Sequence, residues 1–218
     1  MAWAERLWET GGRCVLDLGC GIGRHAVALA HLGFAVTATD VSPSGLATCA
    51  AWLAARLGSP KSREGLSAKL VRHEMEVLPF PDRIFDGLIA YNVIYHTTLP
   101  GMRRVLSEMH RVLRPDSRLY VTANARDESR IAGFRADVEA GKCREIEPFT
   151  FVYLRDAPGD EHLPHHYCNE ARSDVCRPLR LLLADFVVDD LRLVRQEYAD
   201  DDGMVQIGVH YHVQARRP

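Results

Sequence analysis

A chain of 218 residues with 47% hydrophobic content has enough apolar mass for a full core in one domain, without disulfide or metal staples. Its formal charge of -2 speaks against a general nucleic-acid binder, which carries a basic surplus. No apolar run approaches the length of a membrane span and the start MAWAERLWETGG has no signal-peptide pattern, so no membrane partner and a cytoplasmic location are expected. Cys14, Cys20, Cys49, Cys143, Cys168 and Cys176 contain no CxxC pair, which fits reduced thiols.

RCVLDL, Arg13 to Leu18, is a short apolar run bounded by glycines, the pattern of a buried strand. RHAVALAHL, Arg24 to Leu32, has helical spacing and stops at Gly33. FAVTATD, ending at Asp40, reads as a second strand. The next helix starts with Ser42 as N-cap and Pro43 at its first position, and stops at Gly58. Ser59 to Ser67 is polar enough for a loop, and AKLVR, Ala68 to Arg72, is a weaker third strand. IFDGLIAY, Ile84 to Tyr91, is a fourth strand, MRRVLSEMHRVL an amphipathic helix stopped by Pro115, and RLYVTA, Arg118 to Ala123, a fifth strand. The arginines of that helix point around it, which predicts a solvated face.

The pattern then changes. A helix is expected around Ser129 to Ala140 and another at Leu179 to Leu183, with β-formers and turn residues between them. DFVVDDLRLVRQEY and MVQIGVHYHVQARR, joined by ADDDG, form a predicted antiparallel hairpin at the sheet edge. The fold class is therefore α/β, a Rossmann-like doubly wound and mostly parallel sheet with that hairpin at one edge. Residues 1–218 are read as a single domain, with an insertion at about 124–185 lying over the sheet.

VLDLGCGIGRH joins the first strand to the first helix through a glycine turn. Such a turn aims backbone N–H groups and a helix dipole at a ligand, and its glycines permit positive φ and close approach. Gly21, Gly23 and Ala26 also fit a dinucleotide pattern, and a turn that merely packs helix on strand is a third option. Asp17, inside the strand end, suits a ligand carrying an ammonium and a sulfonium better than a pyrophosphate. Asp40, closing the second strand, is placed to take both hydroxyls of a ribose.

VLDLGCGIGRH, TATDVS, LPFPDRIFDGLIAYNVIYH and RVLRPDSRLYVT, in this order and spacing, resemble the class I S-adenosylmethionine-dependent methyltransferases, in the small-molecule group with an LPF…FD segment. The resemblance runs from Arg13 to about Thr122. It implies S-adenosylmethionine as cofactor, with Gly19, Gly21 and Gly23 around its methionine part and Asp40 on the ribose. It also implies Val41 and Met75 against adenine and Glu74, where relatives usually have Asp, on the adenine amino group. Relatives carry Pro-Gly-Gly where this chain has Pro115-Asp116-Ser117, both acceptable turn residues.

Methyl transfer is an in-line displacement that needs alignment, exclusion of water and sometimes a base. AYNVIYH follows the fourth strand, so Asn92 is expected beside the cofactor and His96 near the methyl group, as a base or as a helix cap. His165 and His166 of EHLPHHYCNEAR, Glu161 to Arg172, are the other catalytic candidates, in a segment where such enzymes build an acceptor lid; a polar surface loop is the alternative. His162, His165, His166, Cys168, His210 and His212 make a conceivable metal set, but their spacing matches no standard zinc pattern, so no metal is assigned. The segment also lacks the Pro-Pro-aromatic and Pro-Cys signatures of the DNA-methylating classes. The expected partner is thus a small methyl acceptor through O, N or S, not a nucleic acid. A non-catalytic cofactor-binding protein, kept open by the dozen residues before Arg13, and a nicotinamide oxidoreductase are the alternatives.

Overall fold

Apolar runs of five or six residues, alternating with helices that carry one apolar stripe, can bury themselves together only as parallel strands with helices packed on both faces. The computed structural model describes residues 2–57, 68–154, 163–168, 179–199 and 205–218. Strands β1 (Cys14–Leu18), β2 (Ala35–Asp40), β3 (Ala68–Arg72), β4 (Phe85–Ala90) and β5 (Leu113–Asn124) are parallel, and β9 (Val187–Ala199) and β10 (Val205–Arg216) complete a seven-stranded sheet of order β3-β2-β1-β4-β5-β10-β9. β10 runs antiparallel to both β5 and β9, so the edge hairpin is present. Its ADDDG connection lies largely outside the described residues, as do Gly58 and the Ser59 to Ser67 segment.

Helices α2 (Arg24–His31), α3 (Pro43–Leu57) and α4 (Leu99–Val112) make the crossovers. The start of α3 follows from its sequence: Pro43 is its first residue, and the Ser42 hydroxyl accepts from Gly45 N–H at 3.1 Å. α4 buries Met102, Val105, Leu106, Met109 and Val112, the spacing that an apolar stripe requires. Because side chains alternate along a strand, Leu16 and Leu18 pack with α4 on one face of the sheet and Val15 packs with α2 on the other.

Four features differ from the sequence expectations. Ala2–Glu9 forms helix α1, which buries Trp3, Ala4 and Leu7 beside Phe34 and Ile89. β5 begins five residues earlier than Arg118, with Asp116 at φ 61° and a register shift where the Pro-Gly-Gly turn of relatives would be. The arginines of α4 do not form a merely solvated face. Arg104 pairs with Glu76 at 2.6 Å, while Arg111 holds Glu108, Asp82 and the carbonyls of Leu78 and Phe80, so α4 clamps the loop before β4. Lastly, residues after β5 build a second small sheet, β6 (Cys143–Glu147), β7 (Thr150–Tyr153) and β8 (His165–His166), under α5 (Glu128–Glu139). Ile131, Phe149, Phe151 and Tyr167 are its core, and α6 (Leu179–Leu182) returns to the main one.

Leu88, fully buried at the middle of β4, is the test of this packing. Leu88→Ala is expected to lower the unfolding free energy by about 2–5 kcal/mol in urea denaturation, through lost burial and a residual cavity.

Candidate functional site

The carboxyl ends of β1, β2 and β4 open onto one crevice, as an open parallel sheet dictates. β1 leads into Gly19, Gly21 and Gly23, with φ of 66°, 54° and 90°. Gly23 is the N-cap of α2 and supplies no side-chain bond to it, and of the first-turn N–H groups that of Ala26 bonds Asp17. The two faces of the turn differ. A Cβ on Gly23 would stand 2.3 Å from Cys49 Sγ, whereas one on Gly21 would meet nothing within 4 Å.

Asp40 fixes this turn. Its Oδ2 accepts from Gly21 N–H and its Oδ1 from Ser42 N–H, both at 2.8 Å, and each oxygen retains accepting capacity. Asp17 sits behind the turn, 1% exposed, and its Oδ2 has no partner among the described residues. Burial, opposed by the Ala26 N–H and reinforced by Asp40, pushes its carboxyl up to about 7. A buried carboxyl with one idle oxygen is a cradle for a cation, and the open space over Gly21 is a cradle for the rest of a ligand. The residues present fit S-adenosylmethionine.

Gly19, Gly21, Asp40, Val41, Glu74, Met75, Asn92 and His96 all line a cavity of about 350 Å³ at this place. Asp17 and Gly23 are not in its lining. Asn92 takes φ 55°, and the Thr122 hydroxyl holds it there by accepting from Asn92 N–H at 2.7 Å and donating to its Oδ1 at 3.0 Å.

A larger cleft of about 970 Å³ shares Gly19, Gly21, Asn92 and His96 with that cavity. His96 therefore stands between the two. Its Nδ1 is buried with no partner among the described residues, and burial holds its imidazole below the ordinary range against a bond to the Asn92 backbone. It does not cap α4: the N-cap is Thr98, whose hydroxyl accepts from Gly101 N–H at 3.2 Å. His165 joins it, ring centroids 4.5 Å apart.

His166 is placed elsewhere. Successive residues of β8 face opposite ways, so His166 turns inward, fully buried, with its Nδ1 2.6 Å from the Thr150 hydroxyl and its N–H on the Tyr95 carbonyl. As a catalytic candidate it is corrected: it lines neither cavity and holds the small sheet to the segment after β4. Of the conceivable metal set, His162 lies outside the described residues, and His212 bonds the Tyr120 hydroxyl at 2.6 Å. Among the described residues no three His, Cys, Asp or Glu side chains are grouped to hold a metal ion, and no helix is long and apolar enough to cross a membrane.

Sequence reasoning missed His25, Asn124 and Arg130, which also line the cleft. His25 stood in the quoted glycine motif without a role. Arg130 lies in a helix that carries no motif, so only the packing of α5 reveals it.

The comparisons agree with this geometry. A family model described as a methyltransferase domain matches residues 15–116. The phthiotriol/phenolphthiotriol dimycocerosates methyltransferase of Mycobacterium tuberculosis is 32% identical over 141 residues, 63% of this chain and 47% of that protein. An O-methyltransferase of Aspergillus nomiae is 35% identical over 119 residues, 54% of this chain and 49% of that protein. The chain thus spans about half the length of these curated relatives. A solved S-adenosylmethionine-dependent methyltransferase from Methanosarcina mazei superposes with a TM-score of 0.70 at 23% identity, over 94% of this chain and 92% of that one. Together with the glycine turn and its two carboxylates, these matches liken residues 15–116, just under half of the chain, to methyltransferase domains, and the fold to that of a solved S-adenosylmethionine-dependent methyltransferase.

Burial drives the imidazoles of His166 and His210 from the ordinary 6.5 down to about 4. The unfolded chain therefore takes up protons below pH 6.5 that the folded one refuses, and stability should fall as pH drops from 6.5 toward 4. Urea unfolding across that range should show a shallower fall for His166→Gln than for the parent.

Proposed function

We propose that the protein moves the methyl group of S-adenosylmethionine to a small-molecule acceptor through O, N or S. The observation that carries this reading is the shared wall of two spaces. The cavity edged by Asp40 has Gly19, Gly21, Asn92 and His96 in common with a cleft large enough for a second small molecule. Gly19, Gly21 and Gly23 would hold the methionine part, Asp40 the ribose, Val41 and Met75 the adenine faces and Glu74 its amino group. Asp17 would face the cationic end, and Asn92 would support the wall between the two ligands. A nicotinamide cofactor suits the site less, because a pyrophosphate at this turn would lie against Asp17 and the order of the later motifs does not fit it.

When bound, the cofactor supplies a methyl group made electrophilic by its sulfonium. The protein's own task is to align the acceptor, keep water out and receive the acceptor's proton. His96 is placed for the last: it sits at the junction, and burial keeps it uncharged with Nδ1 able to accept. As the methyl group is transferred, His96 would take the acceptor's proton. Residues 1–218 act as one methyltransferase domain in this reading, with the 124–185 insertion covering the acceptor through Arg130, His165 and Tyr167.

Calorimetry with S-adenosylmethionine, S-adenosylhomocysteine and NAD tests the cofactor site. The first two should bind, and Asp40→Ala should weaken them by about 1–3 kcal/mol because ribose hydroxyls lose their acceptor; binding of NAD alone would sink the proposal. With an acceptor found by screening, His96→Gln should cut turnover by roughly 10²- to 10⁴-fold while cofactor affinity persists. Since burial lowers the His96 pKa, the acidic fall of the rate should lie below pH 6.5 in the parent and vanish in His96→Gln.

A further inference from the structure

The cleft beyond His96 is walled by rings. Tyr95 has the rings of His96, His210 and His165 at 4.6, 5.8 and 6.2 Å between centroids, and Tyr91 has His25 at 4.8 Å. Tyr167 adds a further ring to the lining. Such a surface favours a flat, aromatic occupant. Burial lowers the imidazoles of His25, His96 and His210 in this wall below the ordinary range, the last to about 4, which disfavours their charged forms.

Arg130, from the first turn of α5, enters this wall of rings. Its Nη1 donates to the Ile207 carbonyl at 3.3 Å, and its guanidinium stands 5.7 Å from the Tyr167 ring and 5.9 Å from that of Phe134. No carboxylate pairs with it among the described residues. Neighbouring Arg195, by contrast, is paired with Asp127 at 3.1 Å. The charge of Arg130 is felt by His210, which places it beside the ring wall. Among the described residues two other charged side chains line the cleft: Arg24 opens α2 at the cofactor end, and Glu197 is exposed on β9. Two arginines against that one rim carboxylate leave a surplus of one positive charge, which suits a carboxylate better than a dianionic phosphate.

Resting on the methyltransferase reading above, we propose that the acceptor is a planar aromatic acid, its ring against the Tyr95 wall and its carboxylate on Arg130. The nucleophilic substituent then turns toward His96. Arg130 decides which acceptors are taken and does not touch the reacting atom.

The probes are 2-, 3- and 4-hydroxybenzoate and their neutral amides, titrated calorimetrically into protein saturated with S-adenosylhomocysteine. At least one acid should bind about tenfold or more tightly than its amide, as a charged hydrogen-bonded pair implies. Arg130→Gln should erase that preference, and Arg130→Lys should keep part of it. The inference is overturned if no acid exceeds its amide, or if the preference survives in Arg130→Gln. Thermal unfolding with S-adenosylhomocysteine checks that the variants are folded. The initial saturation step separates the two readings: failure to bind S-adenosylhomocysteine removes the methyltransferase proposal, while saturation without acid preference removes only this one.

Discussion

Everything at the cofactor end hangs on the two backbone bonds accepted by Asp40. Gly21 belongs to the turn after β1 and Ser42 to the entry of α3, so one carboxylate joins two strand–helix units that β-pairing alone would leave free to shift. The Cys20 N–H adds a bond to the Thr39 carbonyl at 2.8 Å, which presses the turn onto the end of β2. The glycines can take left-handed φ because these bonds hold them there. The same bonds leave Gly21 facing open space instead of Cys49.

A second set of polar anchors works from the opposite side. Asp86 accepts from the N–H groups of Arg13 and Cys14 at 2.8 and 2.9 Å and is paired with Arg114, so it ties the starts of β1, β4 and β5 together. Glu108 accepts from Leu78 N–H at 2.7 Å, while Arg111 gathers the carbonyls of Leu78 and Phe80. Glu74 and Met75 precede this clamp directly. Their place in the cavity wall is thus set by α4, a helix on the far face of β4 from the glycine turn. Partly exposed ion pairs of this kind contribute little to stability, but they fix where a loop lies.

Much of this was legible in the residues because its causes are local. Alternation of apolar runs and stripes gave the parallel core, Ser42 with Pro43 gave the start of α3, and the glycine turn with Asp17 and Asp40 gave the cofactor end. What escaped notice depends on distant contacts. MAWAERLWE has no apolar stripe long enough to announce α1; only Phe34 and Ile89 give Trp3 and Leu7 something to pack on. The small sheet could not be foreseen, since β8 has two residues and owes its place to the Tyr95 carbonyl. Arg130 looked like any helix arginine until α5 was docked beside β10. Adjacent histidines, equal in the sequence, were separated by a pleat.

That pleat has a consequence for evolution. In β8 the bonds of His166 to Tyr95 and of Tyr167 to Phe149 set the parity of the strand. Parity, not the identity of either residue, decides which imidazole borders the cleft. Loss or gain of one residue in the connection from β7 could exchange the two histidines without any substitution, pushing a polar ring out of the small core and the other into it. Homologous chains are therefore best aligned here by strand phase. A relative with a single histidine in this segment can preserve the same cleft, or abolish it, according to whether that residue falls on an odd or an even step.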